Sequence, residues 1–178
     1  MTPEARVLAE AFADEPLMTF FWPDPDRRRR ALPYFWHSRV EARRRKGIVD
    51  TASDDTGIVS VVLWDLPGVA TPMTKPLSLI RALGWTAPRA LATSRQIEGL
   101  RPKHPHLYLA CGGTLPHARA KGVTAQLVRA RIEASRVDVF VIATNDHSAA
   151  LAEHDGFRPT GELVVAQHVV LRGMLRAV

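Results

Sequence analysis

The chain has 178 residues, 46% of them hydrophobic, and carries 24 Lys and Arg against 18 Asp and Glu, a formal charge of +6. This length fits one domain with a real core, and no apolar run reaches the roughly 20 residues that a membrane-spanning helix needs. The single cysteine, Cys111, excludes an internal disulfide and a cysteine-rich metal site; with no signal-peptide pattern at the start, the expected location is the cytoplasm.

The first predicted element is a helix with Pro3 in its first turn and Val7, Leu8, Ala11 and Phe12 along one face. DEPLMTFFWPDPD, 14–26, reads as an aromatic loop broken by prolines. A second helix over about 27–46 takes its apolar stripe from Leu32, Phe35, Trp36 and Val40. The basic runs RRRR, 27–30, and RRRK, 43–46, read as solvated helix faces. The second run also complements the dipole of a helix that ends before Gly47.

Strands follow near 47–52 and 57–64, joined by the hairpin-turn sequence SDDTG. The proline-punctuated stretch 65–103 reads as loops around one or two helices. HLYLAC, 106–111, is a short buried strand, and GGTLPHARAKG turns from it into a helix over about 122–135. DVFVIA, 138–143, is a near-continuous apolar run, the pattern of a central strand covered on both faces. A short helix over about 147–154 and one last strand, LVVAQHVVL at 163–171, complete an α/β or α+β domain with a strand–helix–strand crossover.

The turn inside that crossover carries the chemistry. The strand from Leu107 to Cys111 enters Gly112 and Gly113, and a helix starts at Gly122. The first turn of a helix presents unpaired N–H groups and a positive dipole end, so it favours an anion. Arg119 and Lys121 add two cations there, and small residues at 120, 122, 124 and 125 let the backbone approach a ligand. These features suit a pyrophosphate, although strand-to-helix turns with glycine and arginine are common. Cys111 reads as inert strand packing. His104 and His106 share a face, without the carboxylate or cysteine companions of a metal pair, which leaves His106 as a candidate base for an amine. His117 reads as a surface or phosphate contact, and Glu153 and His154 as solvent-facing.

LYLACGGTLPHARAKGVTAQLV, 107–128, resembles the acyl-CoA-binding segment of the GCN5-related N-acetyltransferases, the GNAT superfamily. Pro116, Arg119 and Gly122 stand at the proline, Gln/Arg and central glycine positions of that family's Pro-x-x-[Gln/Arg]-Gly-x-Gly-x-Gly/Ala turn, with Ala120 and Thr124 where glycines are more usual. NDHSAALAEHDGF, 145–157, resembles the family's next segment through Asn145, Leu151, Gly156 and Phe157. AEAFADEPLMTFFWPDPDRR, 9–28, is similar to the first helix and loop of one branch, and HPHLYL matches the entry to its fourth strand. The tyrosine that the family commonly keeps, to protonate the leaving thiolate, is here Ala152, and the glutamate of many relatives is here Ile142. The family's first strand has no counterpart ahead of Thr2.

The resemblance implies a single GNAT-like α/β domain over 1–178, with a mixed, twisted central sheet flanked by helices. Its strands at 106–111 and 138–143 would be parallel and splayed into an acyl-CoA cleft. It implies acetyl-CoA or another acyl-CoA as co-substrate and no metal. The pantetheine would lie along Gly112, Gly113, Thr114 and Leu115, and the pyrophosphate over Arg119, Ala120, Lys121, Gly122, Val123, Thr124 and Ala125, with Asn145 and Ser148 near the thiol end. Thr114, Asn145 and His106 are the catalytic candidates, and backbone N–H groups of Gly113 to Leu115 would polarise the carbonyl. Phe20, Phe21, Trp22 and Cys111, beside Asp14 and Glu15, would border the acceptor. The expected function is acylation of a small-molecule amine by a monomer or homodimer, with neither a membrane nor nucleic acid as partner. Two alternatives stay open: the fold recruited to another reaction, such as a cyclisation or decarboxylation, and a non-catalytic binding module.

Overall fold

Each of the first three helices begins with a proline preceded by a side chain that caps the helix. In α1, Pro3–Ala11, the Thr2 hydroxyl accepts from the Ala5 N–H at 3.3 Å. In α2, Pro16–Phe21, the Glu15 carboxylate accepts from the Met18 N–H at 3.0 Å. In α3, Pro25–Lys46, Asp24 accepts from the N–H groups of Asp26 and Arg27. Proline is pre-set for the first helical position, where its missing N–H costs nothing. The expected loop over 14–26 therefore contains a helix, because Pro16 starts one rather than breaking one.

The computed structural model describes residues 1–69, 71, 74–166 and 169–178, and of Ala120 the backbone alone. The strands β1, Gly47–Asp54, and β2, Gly57–Asp65, form the expected hairpin, followed by α4, Pro76–Leu83, and α5, Ala87–Leu100. β3 spans Leu107–Thr114, longer than expected, and a 3-10 segment, Pro116–Lys121, leads to α6, Val123–Glu133. Then come β4, Val139–Ala143, α7, Asp146–His154, β5, Arg158–Ala166, and β6, Val169–Arg176. The single last strand expected at 163–171 is two: Leu163 pairs with Leu171 and Val164 with Val170, so the apolar run pairs with itself. Gln167 and His168, inside that run, lie outside the described residues.

The six strands lie in the order β1-β2-β3-β4-β6-β5, and among the described residues β3–β4 is the one parallel pair. Strand alternation divides the core between the two faces of the sheet. Val61, Leu63 and Leu171 face the cluster made by α1 to α5, while Val62, Trp64, Val139 and Met174 face Val128 and Ile132 of α6 and Ala149 of α7.

The two basic runs are only partly solvated faces. Arg28 is buried and donates to the carbonyls of Ala13 and Trp22, at 2.5 and 2.7 Å. Arg43 is buried against Asp65, and Arg44 pairs with Glu4 at 2.6 Å. The sequence could not distinguish these arginines from their neighbours, because their partners lie on other elements.

Candidate active site

β3 and β4 pair only from Leu107 to Leu109 and from Val139 to Val141, although β3 continues to Thr114 and β4 to Ala143. The ladder ends at a bulge. On the other side of β3, Leu63 pairs with Cys111 and Trp64 with Leu109, which leaves Ala110 without a partner. Past the bulge the parallel strands separate, as expected, and one edge of β3 faces an open gap.

Which backbone groups face that gap follows from the register. The Leu115 N–H donates to the Val59 carbonyl at 2.9 Å. By alternation along an antiparallel pair, Gly113 also turns its N–H to β2, and the N–H groups of Gly112 and Thr114 point into the gap. The expected donors are thus corrected: Gly113 and Leu115 are committed to the sheet, whereas Gly112 and Thr114 are available.

The two glycines are small because helices press on them from both faces. A Cβ on Gly113 would lie 2.9 Å from Ala11 Cβ and from the Phe12 ring. A Cβ on Gly112 would lie 2.9 Å from the methyl group of Thr124. Thr124, in a usual glycine position, is therefore packed into the strand. Its hydroxyl bonds Ser60 Oγ at 2.8 Å and also bonds the Thr114 hydroxyl. The Thr114 side chain is committed to this cluster, so only its N–H is left for chemistry.

The turn expected to hold an anion has the backbone form that such a site needs. Gly122 sits at φ +65°, a left-handed conformation that favours glycine, and α6 starts after it with no side-chain cap. The first N–H groups of α6, at Val123, Thr124 and Ala125, remain for a ligand. Arg119 is partly committed: it donates to the carbonyls of Thr114, at 3.4 Å, and Ala11, at 3.2 Å, tying the turn to the end of α1. Lys121 is exposed and makes no ion pair among the described residues. His117 is exposed and lies 3.7 Å from Asp54.

A cavity of about 780 Å³ opens on the sheet face covered by α2, α3 and α5. Ala110 and Cys111 of β3 and Ile142 and Thr144 at β4 line it, so it meets the gap between the strands. Leu17, Met18 and Phe21 of α2 and Phe35 and Trp36 of α3 form its apolar wall. Of the expected acceptor residues, Phe21 and Cys111 line this cavity and the other two do not. Trp22 is fully buried in the core and donates from Nε1 to the Ala82 carbonyl at 3.0 Å. Phe20 packs under the Arg89 guanidinium, 5.1 Å from the ring centre. Burial pushes the Cys111 thiol up to about 12, so it stays a thiol, the inert role expected for it.

Three groups near the cavity titrate or pair in ways that matter. Arg43 and Asp65 form a buried ion pair; the 2.9 Å contact is off the hydrogen-bond axis and a second, at 3.2 Å, is aligned. Glu15 is held above the usual carboxylate range, chiefly by burial, against the pull of Thr144 and the Met18 and Leu17 N–H groups. Its Oε2 caps α2, while Oε1 is buried without a hydrogen-bond partner among the described residues; Thr144 is near but outside bonding geometry. Met18 and Thr144 both line the cavity, so Glu15 stands behind its wall at the gap end. Sequence reading placed Glu15 in an acidic loop; a glutamate directly before a proline is the cap signal that locates it.

His106 lies elsewhere. It lines the cavity at the start of β3, five residues before Cys111 and eight before Thr114, roughly 15–25 Å from the gap at about 3.3 Å per residue. Burial, with the neighbouring Arg101 and His104, holds it below its ordinary value, and its Nδ1 bonds the His104 carbonyl at 2.8 Å. His104 pairs with Asp138 at 2.9 Å. Asn145 and Ser148 cap α7 reciprocally: Asn145 Oδ1 accepts from the Ser148 N–H at 2.8 Å, and Ser148 Oγ accepts from the Asn145 N–H at 3.2 Å. Ala152 and Ile142 stand on opposite faces of the sheet. Ile142 lines the cavity, whereas Ala152 packs against the core of α6 and α7.

No protein-family model matches the chain. Among solved structures it is similar to a Corynebacterium glutamicum protein described as histone acetyltransferase HPA2 and related acetyltransferase, at 28% identity and a TM-score of 0.73, covering 98% of this chain and 88% of that one. It is also similar to the polyamine N-acetyltransferase of Drosophila melanogaster, which forms N-acetylagmatine, at 18% identity and TM-score 0.69 over 97% and 92% of the two chains. Arylalkylamine N-acetyltransferase 2 of Aedes aegypti is similar at 17% identity and TM-score 0.67, with coverage of 97% and 92%. The fold is that of the GNAT acetyltransferases, and the chain is consistent with a divergent member of that superfamily.

Proposed function

We propose that the protein is an acyl-CoA-dependent N-acyltransferase that passes the acyl group, most simply acetyl, directly from the thioester to an amine of a small molecule in the cytoplasm. The observation that carries this reading is the parallel ladder that stops at Leu109 and Val141 and opens onto the cavity. A pantetheine entering the gap would meet the free edge of β3, and its pyrophosphate would reach the N-terminus of α6 and Lys121. The polyamine and arylalkylamine acetyltransferases that share the fold support an amine as acceptor.

The chemistry follows from the groups at the gap. The amine nitrogen attacks the thioester carbonyl while the N–H of Gly112, the gap-facing donor next to Cys111, stabilises the developing oxyanion and that of Thr114 holds the pantetheine; one oxyanion donor contributes roughly 10²–10³-fold. The C–N bond forms as the C–S bond breaks, and the nitrogen's proton passes through water to the Glu15 carboxylate. The raised value of Glu15 brings its basicity nearer the working pH, which suits a general base. The thiolate takes its proton from water, because Ala152 offers no phenol.

Calorimetry with acetyl-CoA, followed by thiol release with a panel of primary amines, tests the reading. We expect binding in the micromolar range and amine-dependent release of free CoA. No heat at millimolar acetyl-CoA would sink it. The apolar Ile142 on the cavity wall and the missing phenol favour one second reading, a GNAT fold recruited to another reaction. That protein would bind a thioester and release no thiol to any amine.

A further inference from the structure

The charges around the cavity do not fit a purely cationic acceptor. Four cations, Arg39, Arg43, Arg101 and Lys103, line it against two carboxylates, Asp65 and Glu98. Both carboxylates are occupied: Asp65 by Arg43 at 2.9 Å and Arg101 at 3.9 Å, and Glu98 by Arg101 at 3.2 Å. A polyamine would enter a chamber whose lining carboxylates, among the described residues, are already paired. Lys103 is exposed at the rim, so the surplus charge inside is Arg39.

Arg39 is half-buried on α3, one turn from Phe35 and one from Arg43. Its guanidinium lies over the Phe35 ring at 5.0 Å, and it donates no hydrogen bond and makes no ion pair among the described residues. Burial, and next the charge of Arg43, hold it below its ordinary value, although arginine remains a cation at neutral pH. Asp65, Tyr108 and Cys111 line the same cavity. A partly desolvated cation without a counter-ion is costly, and stacking on a ring holds this one in place without neutralising it.

Resting on the acyl-transfer reading, we propose that the acceptor amine also carries a carboxylate that Arg39 binds inside the cavity, and an apolar or aromatic flank that packs on Phe21, Phe35 and Trp36. The planar guanidinium matches a carboxylate in a two-pronged contact, and the bound anion supplies the charge the chamber lacks. The amine end is then directed towards Ala110, Cys111 and Thr144, where the cavity meets the gap. The acceptor class is an apolar amino carboxylate, not a polyamine.

The test uses matched pairs that differ only in the carboxylate: phenylalanine with phenethylamine, leucine with isoamylamine, and spermidine as a polycation. Thiol release is measured with the wild-type protein, Arg39→Gln and Arg39→Lys, and thermal melting confirms folding. We expect kcat/KM to favour the carboxylate member of each pair by at least about tenfold. Arg39→Gln should shrink that preference about ten- to a hundredfold, mainly through KM, and Arg39→Lys should keep part of it. If the amines match or exceed the amino acids while thiol is released, the carboxylate inference falls and acyl transfer stands. If acetyl-CoA binds and no acceptor releases thiol, acyl transfer falls. The inference is then read by calorimetry of phenylalanine and phenethylamine into CoA-saturated protein, where equal binding of the two overturns it. If Arg39→Gln does not fold, Arg39→Lys reads the inference instead: a reduced preference for phenylalanine supports it, and an unchanged preference overturns it.

Discussion

The gap between β3 and β4 and the cavity beside it are built from different materials. The gap is made of backbone: a bulge at Ala110, two glycines squeezed between helices, and the uncapped start of α6. The cavity is made of side chains from α2, α3, α5 and the sheet, with Glu15, Arg39 and the Arg43–Asp65 pair as its charged parts. Backbone donors can be kept while side chains change, so a chain can drift at many positions and retain a thioester site. The cavity has no such protection, since one altered side chain changes what it accepts. The proposed thioester site and the proposed acceptor site thus lie within one continuous space.

The largest expected effect falls on the side-chain half. Glu15→Gln keeps an oxygen to cap α2 and removes the base, so turnover should fall roughly 10²–10⁴-fold with little change in acetyl-CoA affinity. In the parent protein the rate should decline as pH falls through the raised value of Glu15, above the usual carboxylate range, and the variant should lose that limb. The stability effect has the opposite sign. A carboxylate whose folded value is raised destabilises the native state above that value, so Glu15→Gln should leave the melting temperature at neutral pH unchanged or higher. A loss of rate accompanied by a lower melting temperature would mark Glu15 as structural.

Next is the ion pair beneath the cavity. Asp65→Ala leaves Arg43 buried and uncompensated, with both residues 5% exposed or less in the parent protein. Removing one partner of such a pair costs about 3–5 kcal/mol, read from the denaturant midpoint. A change below about 1 kcal/mol, the range of solvated pairs, would show that Arg43 reaches solvent easily. The smallest of the three tests the backbone half. Gly113→Ala puts a methyl group against Ala11, Phe12 and Leu8, and overpacking of that kind costs roughly 1–3 kcal/mol. Because Arg119 anchors the turn to the Ala11 carbonyl, a shifted α1 should also weaken acetyl-CoA. Full stability with full affinity would break the account of why that glycine is there.

The order of helices and strands, the crossover and the glycine turn ahead of α6 are legible in the residues themselves. Apolar spacing, proline before a helix and glycine after a strand act through neighbours within one or two turns of chain. The parallel pair 106–111 and 138–143 is what the family resemblance implies, and a crossover helix between two strands agrees with it. Two local signals were present and misread: Pro16 after Glu15 starts α2, and the apolar run 163–171 holds two strands where its periodicity suggested one.

What only the tertiary structure decided depends on residues far apart in the chain. Arg28 and Arg43 look like any other arginine of a basic run until Ala13, Trp22 and Asp65 arrive beside them. Ile142 and Ala152 look like two losses from one site, yet they face opposite sides of the sheet. Trp22 reads as part of an aromatic loop and proves to be core, while Arg39, with nothing in the sequence to mark it, lines the cavity with no ion pair among the described residues. Local conformation is set by short-range sterics and hydrogen bonds that a stretch of sequence carries with it. Burial and charge pairing are set by what other segments bring to the same place, and a side chain acquires its chemistry only there.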